Sequence, residues 1–208
     1  MSLNPSNHSA VAIDSNNAPL RIFLIRHGET EWSLSGRHTG RTDIPLTRRG
    51  EQMARALAPL LADVTFSRAL SSPRQRARHT CELAGFRAAD ILPGLAEWDY
   101  GDDEGRRSSE IAMDRPGWDI WRDGCPGGET PTAVSERADL VVRHLRDLSG
   151  NVAVFTHGHF GRALAVRWLG LPVTVGQHLM LDPATLSILG LDDRHGMTPV
   201  IQRWNAAA

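Results

Sequence analysis

Three short stretches of this chain end in residues suited to handling a phosphoryl group. In LIRHGET (24–30), the apolar, β-branched and aromatic run RIFLI stops abruptly at Arg26, His27 and Gly28. A guanidinium fork matches phosphate oxygens, and an imidazole nitrogen can attack phosphorus. In SSPRQRARHT (71–80), Arg74, Arg76 and Arg78 stand at a predicted helix start, where unpaired N–H groups and the helix dipole already favour an anion. Arg74 and Arg78 read as a solvated basic face, Arg76 as the arginine directed into a cleft. The third stretch is Thr156-His157-Gly158-His159. Glu97, in LAEWDYGDDEG, adds a carboxylate, although Asp99, Asp102, Asp103 and Glu104 compete with it and spacing does not choose among them. The plainer reading of the first stretch is a loop arginine paired with Glu29 or Glu31.

Such residues need elements that deliver them to one place. RIFLI suits a strand covered on both faces, with Gly28 allowing a sharp turn at its end, and open α/β sheets bind ligands at such ends. After a Gly/Thr-rich loop, GRHTGRTDIPLT, Thr47 caps a predicted helix with Met53, Ala56, Leu57 and Leu60 as its buried face, ending or kinking at Pro59. VTFSRALSS (64–72) reads as a strand, and Pro73 opens a second helix to Ala84. Residues 91–128, dense in Gly, Pro, Trp and acidic residues, read as an insertion over the sheet with a short helix at Ser108 to Asp114. An amphipathic helix follows from Thr132 to Leu148, with Val134, Ala138, Val141, Val142 and Leu145 on its apolar side. NVAVFTHG (151–158) is a strand, RALAVRWLG (162–170) a helix closed by Gly170, and TLSILGLDD with PVIQRW a terminal hairpin. The expected fold is α/β: a three-layer sandwich whose mostly parallel mixed sheet carries helices on both faces.

A length of 208 residues favours one domain, placed at 20–205 behind a Ser/Asn/Pro-rich tail at 1–19 that reads as mobile and lacks the basic and apolar parts of a signal peptide. The 23 Lys+Arg and 24 Asp+Glu nearly cancel, which argues against a nucleic-acid or anionic-membrane partner. No apolar run approaches the ~18 residues of a membrane span. Two cysteines, Cys81 and Cys125, fit a reducing cytoplasm without excluding a single disulfide. Nine histidines invite a metal site, but no carboxylate-histidine cluster completes one around His157 and His159, so neither metal nor other cofactor is expected. Trp118, Trp121 and Trp168 suit core, pocket or interface equally, and leave a homo-oligomer open.

RHGET, the S-P-x-x-R-A segment from Ser72 to Ala77, EWDYGDDEG and the later THGH resemble, in order, the four landmarks of the histidine phosphatase superfamily, which includes cofactor-dependent phosphoglycerate mutases. The resemblance spans residues 20 to about 170. It implies that His27 is the nucleophile that becomes phosphohistidine. Arg26, Arg76 and His157 would form the positive pocket around the transferring group, and Glu97 would be the proton donor. It further implies activity from mildly acidic to neutral pH, limited on the alkaline side by the protonation of Glu97. Many relatives carry asparagine where this chain has Ser33, so the contact made by that amide is expected to be weaker or absent.

TEWSLSGRHTGRTDIPLT, EWDYGDDEG and IWRDGCPGGET are most similar to a branch of small sugar phosphatases that includes sedoheptulose-1,7-bisphosphatase-like enzymes. Thr39 and Gly40 resemble the superfamily's Thr-Gly substrate loop, and Gly158 and His159 are expected in the binding site; on the sugar-phosphatase comparison Trp98 and Tyr100 line the pocket and Arg162 meets the distal part of a small phosphorylated substrate. An exposed helix cation at Arg162 and a core residue at Trp98 are the plainer alternatives. The short insertion between Glu97 and His157 favours hydrolysis over a mutase reaction. A protein that kept the fold but lost the chemistry is the remaining class.

Overall fold

The structure, a computed structural model, describes residues 18–207, so nearly all of the expected tail lies outside the described residues. Six strands form one sheet in the order β3-β2-β4-β1-β5-β6. They are β1 (Arg21–Arg26), β2 (Phe66–Ser71), β3 (Asp90–Ile91), β4 (Asn151–Thr156), β5 (Leu186–Asp192) and β6 (Thr198–Ala206). The first four pair in parallel, while β5 and β6 run antiparallel, which makes the sheet mixed as expected.

The alternation along β1 divides the core. Ile22 and Leu24 pack on one side with the apolar faces of α6 (Pro131–Arg146) and α7 (Gly158–Trp168). Phe23 and Ile25 pack on the other with residues of α2 (Arg48–Leu61) and α3 (Gln75–Leu83). Burial on both faces is why the strand reads as a continuous apolar run rather than an alternating one. Three short helices, α1 (Glu31–Ser35), α4 (Ser108–Asp114) and α5 (Ile120–Asp123), sit in the loops beyond the sheet.

Several local expectations are corrected. The buried face of α2 is Gly50, Ala54, Leu57 and Leu61, with Ala56 and Leu60 exposed, because Gly50 is pressed against the Glu29 backbone: a Cβ there would lie 2.1 Å from the Glu29 carbonyl oxygen. Leu57 is buried as expected, and Met53 packs partly buried against the core. Pro59 lies inside α2, which runs two residues further to Leu61. Pro73 precedes α3 instead of opening it, and Arg74 occupies the N-cap without a side-chain hydrogen bond. The helix expected from Arg162 begins at Gly158. Trp121 and Trp168 belong to the core, and both cysteines are free and buried.

Candidate active site

Register brings the three stretches together. Arg26 on β1 is the partner of Thr156 on β4, and the His27 amide donates to the Thr156 carbonyl (3.0 Å). Ser71 on β2 pairs with Phe155, and the Ser72 amide donates to the Phe155 carbonyl (2.9 Å). Three neighbouring carboxyl ends thus present Arg26-His27, Ser72 and His157 side by side. The His27 and His157 rings lie 5.2 Å apart between centroids, inclined at 61°.

His27 is buried, and its Nδ1 lies 2.7 Å from the Gly28 carbonyl oxygen. A carbonyl only accepts, so Nδ1 carries the proton and Nε2 keeps a free lone pair. Burial, then the charges of Arg76 and Arg26, hold the His27 pKa well below its ordinary value, which keeps the ring neutral. His157 is held low in the same way, by burial first and then by Arg76 and His27.

Arg76 is fully buried at the start of α3 and donates to the carbonyls of Thr42 (3.0 Å), Thr39 (2.8 Å) and Gly40 (3.2 Å). Arg26 donates to the Leu181 carbonyl, and Gly158 lets its guanidinium lie close, since a Cβ at 158 would be 3.3 Å from Cζ. Neither Glu29 nor Glu31 pairs with Arg26; Glu29 instead accepts from the Thr47 hydroxyl (2.8 Å). Among the described residues, the buried side-chain polar atoms without a partner are Nε of Arg26, Arg74 and Arg76 and Nδ1 of His157. Three of these four belong to the groups around His27, and the two guanidinium N–H groups suit an anion.

Glu97 answers the question that spacing left open. Its Oε1 accepts from the amides of Trp98 (2.9 Å) and Phe160 (2.7 Å), and its Oε2 from the amide of His159 (3.1 Å). The carboxylate therefore caps α7, whose own N-cap, His157, supplies no side-chain bond. Arg137 fixes the chain around it by donating to the carbonyls of Gly94, Ala96 and Glu97 while paired with Glu129.

A cavity of about 260 Å³ opens over His27 and Glu97, with Arg26, Thr39, Tyr100, Gly158, His159 and Arg162 in its wall. Tyr100 Oη lies 2.8 Å from His159 Nδ1, and Arg162 lies over the Trp121 ring. Trp98 is not in this wall, which corrects its expected place there, and Gly40 lines a neighbouring cleft that also reaches Glu97. Trp98 is fully buried, with its indole donating to the Glu129 carbonyl, and Gly40 spaces the Arg76 loop, where a Cβ would lie 2.5 Å from the Trp98 carbonyl oxygen. Arg76 and His157 are fully buried and do not line the open cavity. Ser33 reaches the wall, but its hydroxyl is spent on the backbone of Thr30.

Residues 22–207 match the histidine phosphatase superfamily (branch 1). The chain belongs to the histidine phosphatase superfamily. It is 39% identical over 183 residues to an acid phosphatase of Mycobacterium tuberculosis, covering 85% of this chain and 88% of that protein. It is 36% identical over 187 residues to the sedoheptulose 1,7-bisphosphatase of Saccharomyces cerevisiae, covering 74% and 69%. A solved structure of a Mycobacterium tuberculosis open reading frame superposes with a TM-score of 0.85 at 37% identity, covering 90% of this chain and 97% of that one. This histidine phosphatase is a phosphomonoesterase with the phosphoglycerate mutase-like fold.

Two residues of this histidine phosphatase site were not singled out in the sequence. His38 is buried in the cavity wall, stacked on Tyr100 at 4.5 Å and 3.3 Å from the Ser108 hydroxyl. Burial holds His38 and His159 below the ordinary histidine pKa, and burial followed by Glu97 pushes Tyr100 well above its own, so all three enter the wall as neutral groups. Ser72 is the other, fully buried and 2.7 Å from His157 Nε2. His38 follows the Gly36 turn with no periodicity to mark it, whereas Ser72 stands inside a landmark whose first residue was read only as a label. Among the described residues, no group of three or more His, Cys, Asp and Glu side chains is placed to hold a metal ion, and no helix is long and apolar enough to cross a membrane.

Proposed function

We propose that this phosphomonoesterase hydrolyses small phosphorylated metabolites, sugar phosphates or bisphosphates, through a phosphohistidine at His27 and without a metal ion. The observation that carries the reading is the His27 Nδ1 contact with the Gly28 carbonyl, which leaves Nε2 as a neutral nucleophile inside a cage of fixed cations. In the first step the Nε2–P bond forms as the bond from phosphorus to the leaving oxygen breaks. Arg26 and Arg76 hold the equatorial oxygens with His157 beside them, so the two positioned guanidinium charges do the work given elsewhere to a metal. Glu97 gives a proton to the leaving oxygen. Its Oε1 already accepts two amides, so Oε2 is the atom that exchanges the proton. In the second step water attacks phosphorus, Glu97 takes its proton, and His27 is regenerated.

The cavity wall supports the substrate class. Tyr100, His38, His159 and Thr39 present neutral hydroxyl and imidazole edges suited to a polyhydroxy leaving group, with Arg162 and the exposed Arg37 placed for a second anionic group. The similarity to a sedoheptulose 1,7-bisphosphatase supports the same class. Free buried thiols at Cys81 and Cys125 support a cytoplasmic location.

The test is phosphate release by wild type and His27→Ala in chelator, across 3-phosphoglycerate, fructose and sedoheptulose bisphosphates and simple monophosphates, alongside a mutase assay. His27-dependent release, fastest from a sugar bisphosphate, is expected. Isomerisation of phosphoglycerate with little release would overturn the hydrolytic reading, and inactivity throughout would leave a phospho-ligand-binding protein.

A further inference from the structure

We infer that Ser72 is a positioning residue that fixes the tautomer of His157, placing the His157 proton on Nδ1, where it is donated to the phosphoryl group.

Ser72 Oγ has two polar neighbours: the Arg74 amide at 3.3 Å and His157 Nε2 at 2.7 Å. The Arg74 N–H can only donate, so it occupies an acceptor site on Oγ. The hydroxyl proton then has one acceptor within reach, the lone pair of His157 Nε2. Were the proton on Nε2, Ser72 would receive two donors and its own O–H would be buried without an acceptor, which costs about 1–3 kcal/mol. With Nε2 accepting, the neutral ring carries its proton on Nδ1.

Nδ1 of His157 is buried and has no protein partner, in common with Nε of Arg26 and Arg76 beside the same nucleophile. A protonated Nδ1 completes a set of donors, while a bare Nδ1 lone pair would face the phosphoryl oxygens and repel them. His157 is thereby a neutral donor rather than a cation. The backbone fixes the pairing: Ser72 and His157 each follow a strand end, and the Ser72 amide is tied to Phe155 two residues before His157. This inference rests on the phosphohistidine reading for its purpose, but the tautomer itself does not depend on activity.

Imidazole 15N NMR of wild-type protein at pH 7.5 is the decisive measurement, with the His157 signals assigned by their loss in His157→Gln. A pyrrole-type Nδ1 and a pyridine-type Nε2 are expected; the opposite pattern overturns the inference even if the enzyme is fully active. Ser72→Ala should lower kcat and weaken orthovanadate binding by about 10- to 100-fold, the range by which removing the group that orients a metal-bound histidine lowers affinity or activity. Ser72→Cys, with a similar size and a weaker donor, should fall between. In a His157→Gln background, Ser72→Ala should cost nothing further. Wild-type kcat and vanadate affinity in Ser72→Ala would overturn the proposal, and if that variant does not fold, the wild-type spectrum decides alone. An inactive wild type with the expected spectrum would count against the phosphatase reading and not against this one.

Discussion

Glu97 and Phe160 meet at 2.7 Å between Oε1 and the backbone amide, so the carboxylate that caps α7 is the same one proposed to carry the proton. Its two oxygens are unequal, with two amides on Oε1 and one on Oε2. Glu97→Gln keeps the shape but offers an NH2 group that repels one of those amides and gives no proton. Turnover of an alkyl or sugar phosphate should fall about 10²- to 10⁴-fold. p-Nitrophenyl phosphate, whose leaving group needs no proton, should still give a burst of phosphoenzyme. A stopped-flow comparison checks this, and equal loss of both phosphorylation steps would count against the assignment.

Trapping the covalent intermediate tests the nucleophile directly. Acid-labile, alkali-stable phosphate should appear on the peptide containing His27 after rapid quenching, and His27→Ala should show none.

The four depressed histidines His27, His38, His157 and His159 make stability depend on pH. Each is neutral in the fold and takes up a proton on unfolding once the pH falls below about 6.5. The unfolded state then binds more protons, so stability rises with pH from each folded value up to about 6.5 and is level above it. Urea midpoints should be equal at pH 7.5 and 8.5 but fall steadily from 6.5 to 5. Over the same range kcat/KM should show no break at 6.5 from His27. A midpoint flat to pH 5 would show that these rings are not held neutral.

Gly158→Ala would bring a methyl to 3.3 Å from Arg26 Cζ, and the guanidinium must yield by a few tenths of an ångström. Activity should drop about tenfold, because catalytic geometry is sensitive to shifts of less than 1 Å. The melting temperature should hardly change. Steady-state kinetics beside thermal unfolding separates the two.

Arg76→Lys keeps the charge but not the fork that spans the carbonyls of Thr39, Gly40 and Thr42. At least one buried carbonyl loses its donor, at a cost of roughly 1–3 kcal/mol. Stability and vanadate affinity should fall together, measured by denaturant unfolding and by inhibition.

Much of this arrangement could be read from residue types, because β1 and β4 are apolar runs with function at their ends and α6 buries the very face its periodicity marks, Val134, Ala138, Val141, Val142 and Leu145. What could not be read depends on contacts distant in sequence. The start of α7 is set by a carboxylate about sixty residues earlier, and no local capping residue announces it. The phase of α2 is set by backbone pressed on Gly50, a contact that apolar periodicity cannot register. The resemblance to small sugar phosphatases implied a pocket role for Trp98, yet its backbone amide meets Glu97 while its indole turns to Glu129.

The sheet order has a consequence for how the enzyme is made. β4 lies between β1 and β2, so the strand carrying His157 must enter a gap between two strands synthesised long before it. Until the chain is extended past Thr156, Arg26, His27 and Arg76 have no common floor, and pairing across so many residues is slow to form. A nascent chain ending before residue 150 would carry His27, Arg26, Arg76 and Glu97 without the strand that joins them. Activity should therefore appear late in synthesis and all at once.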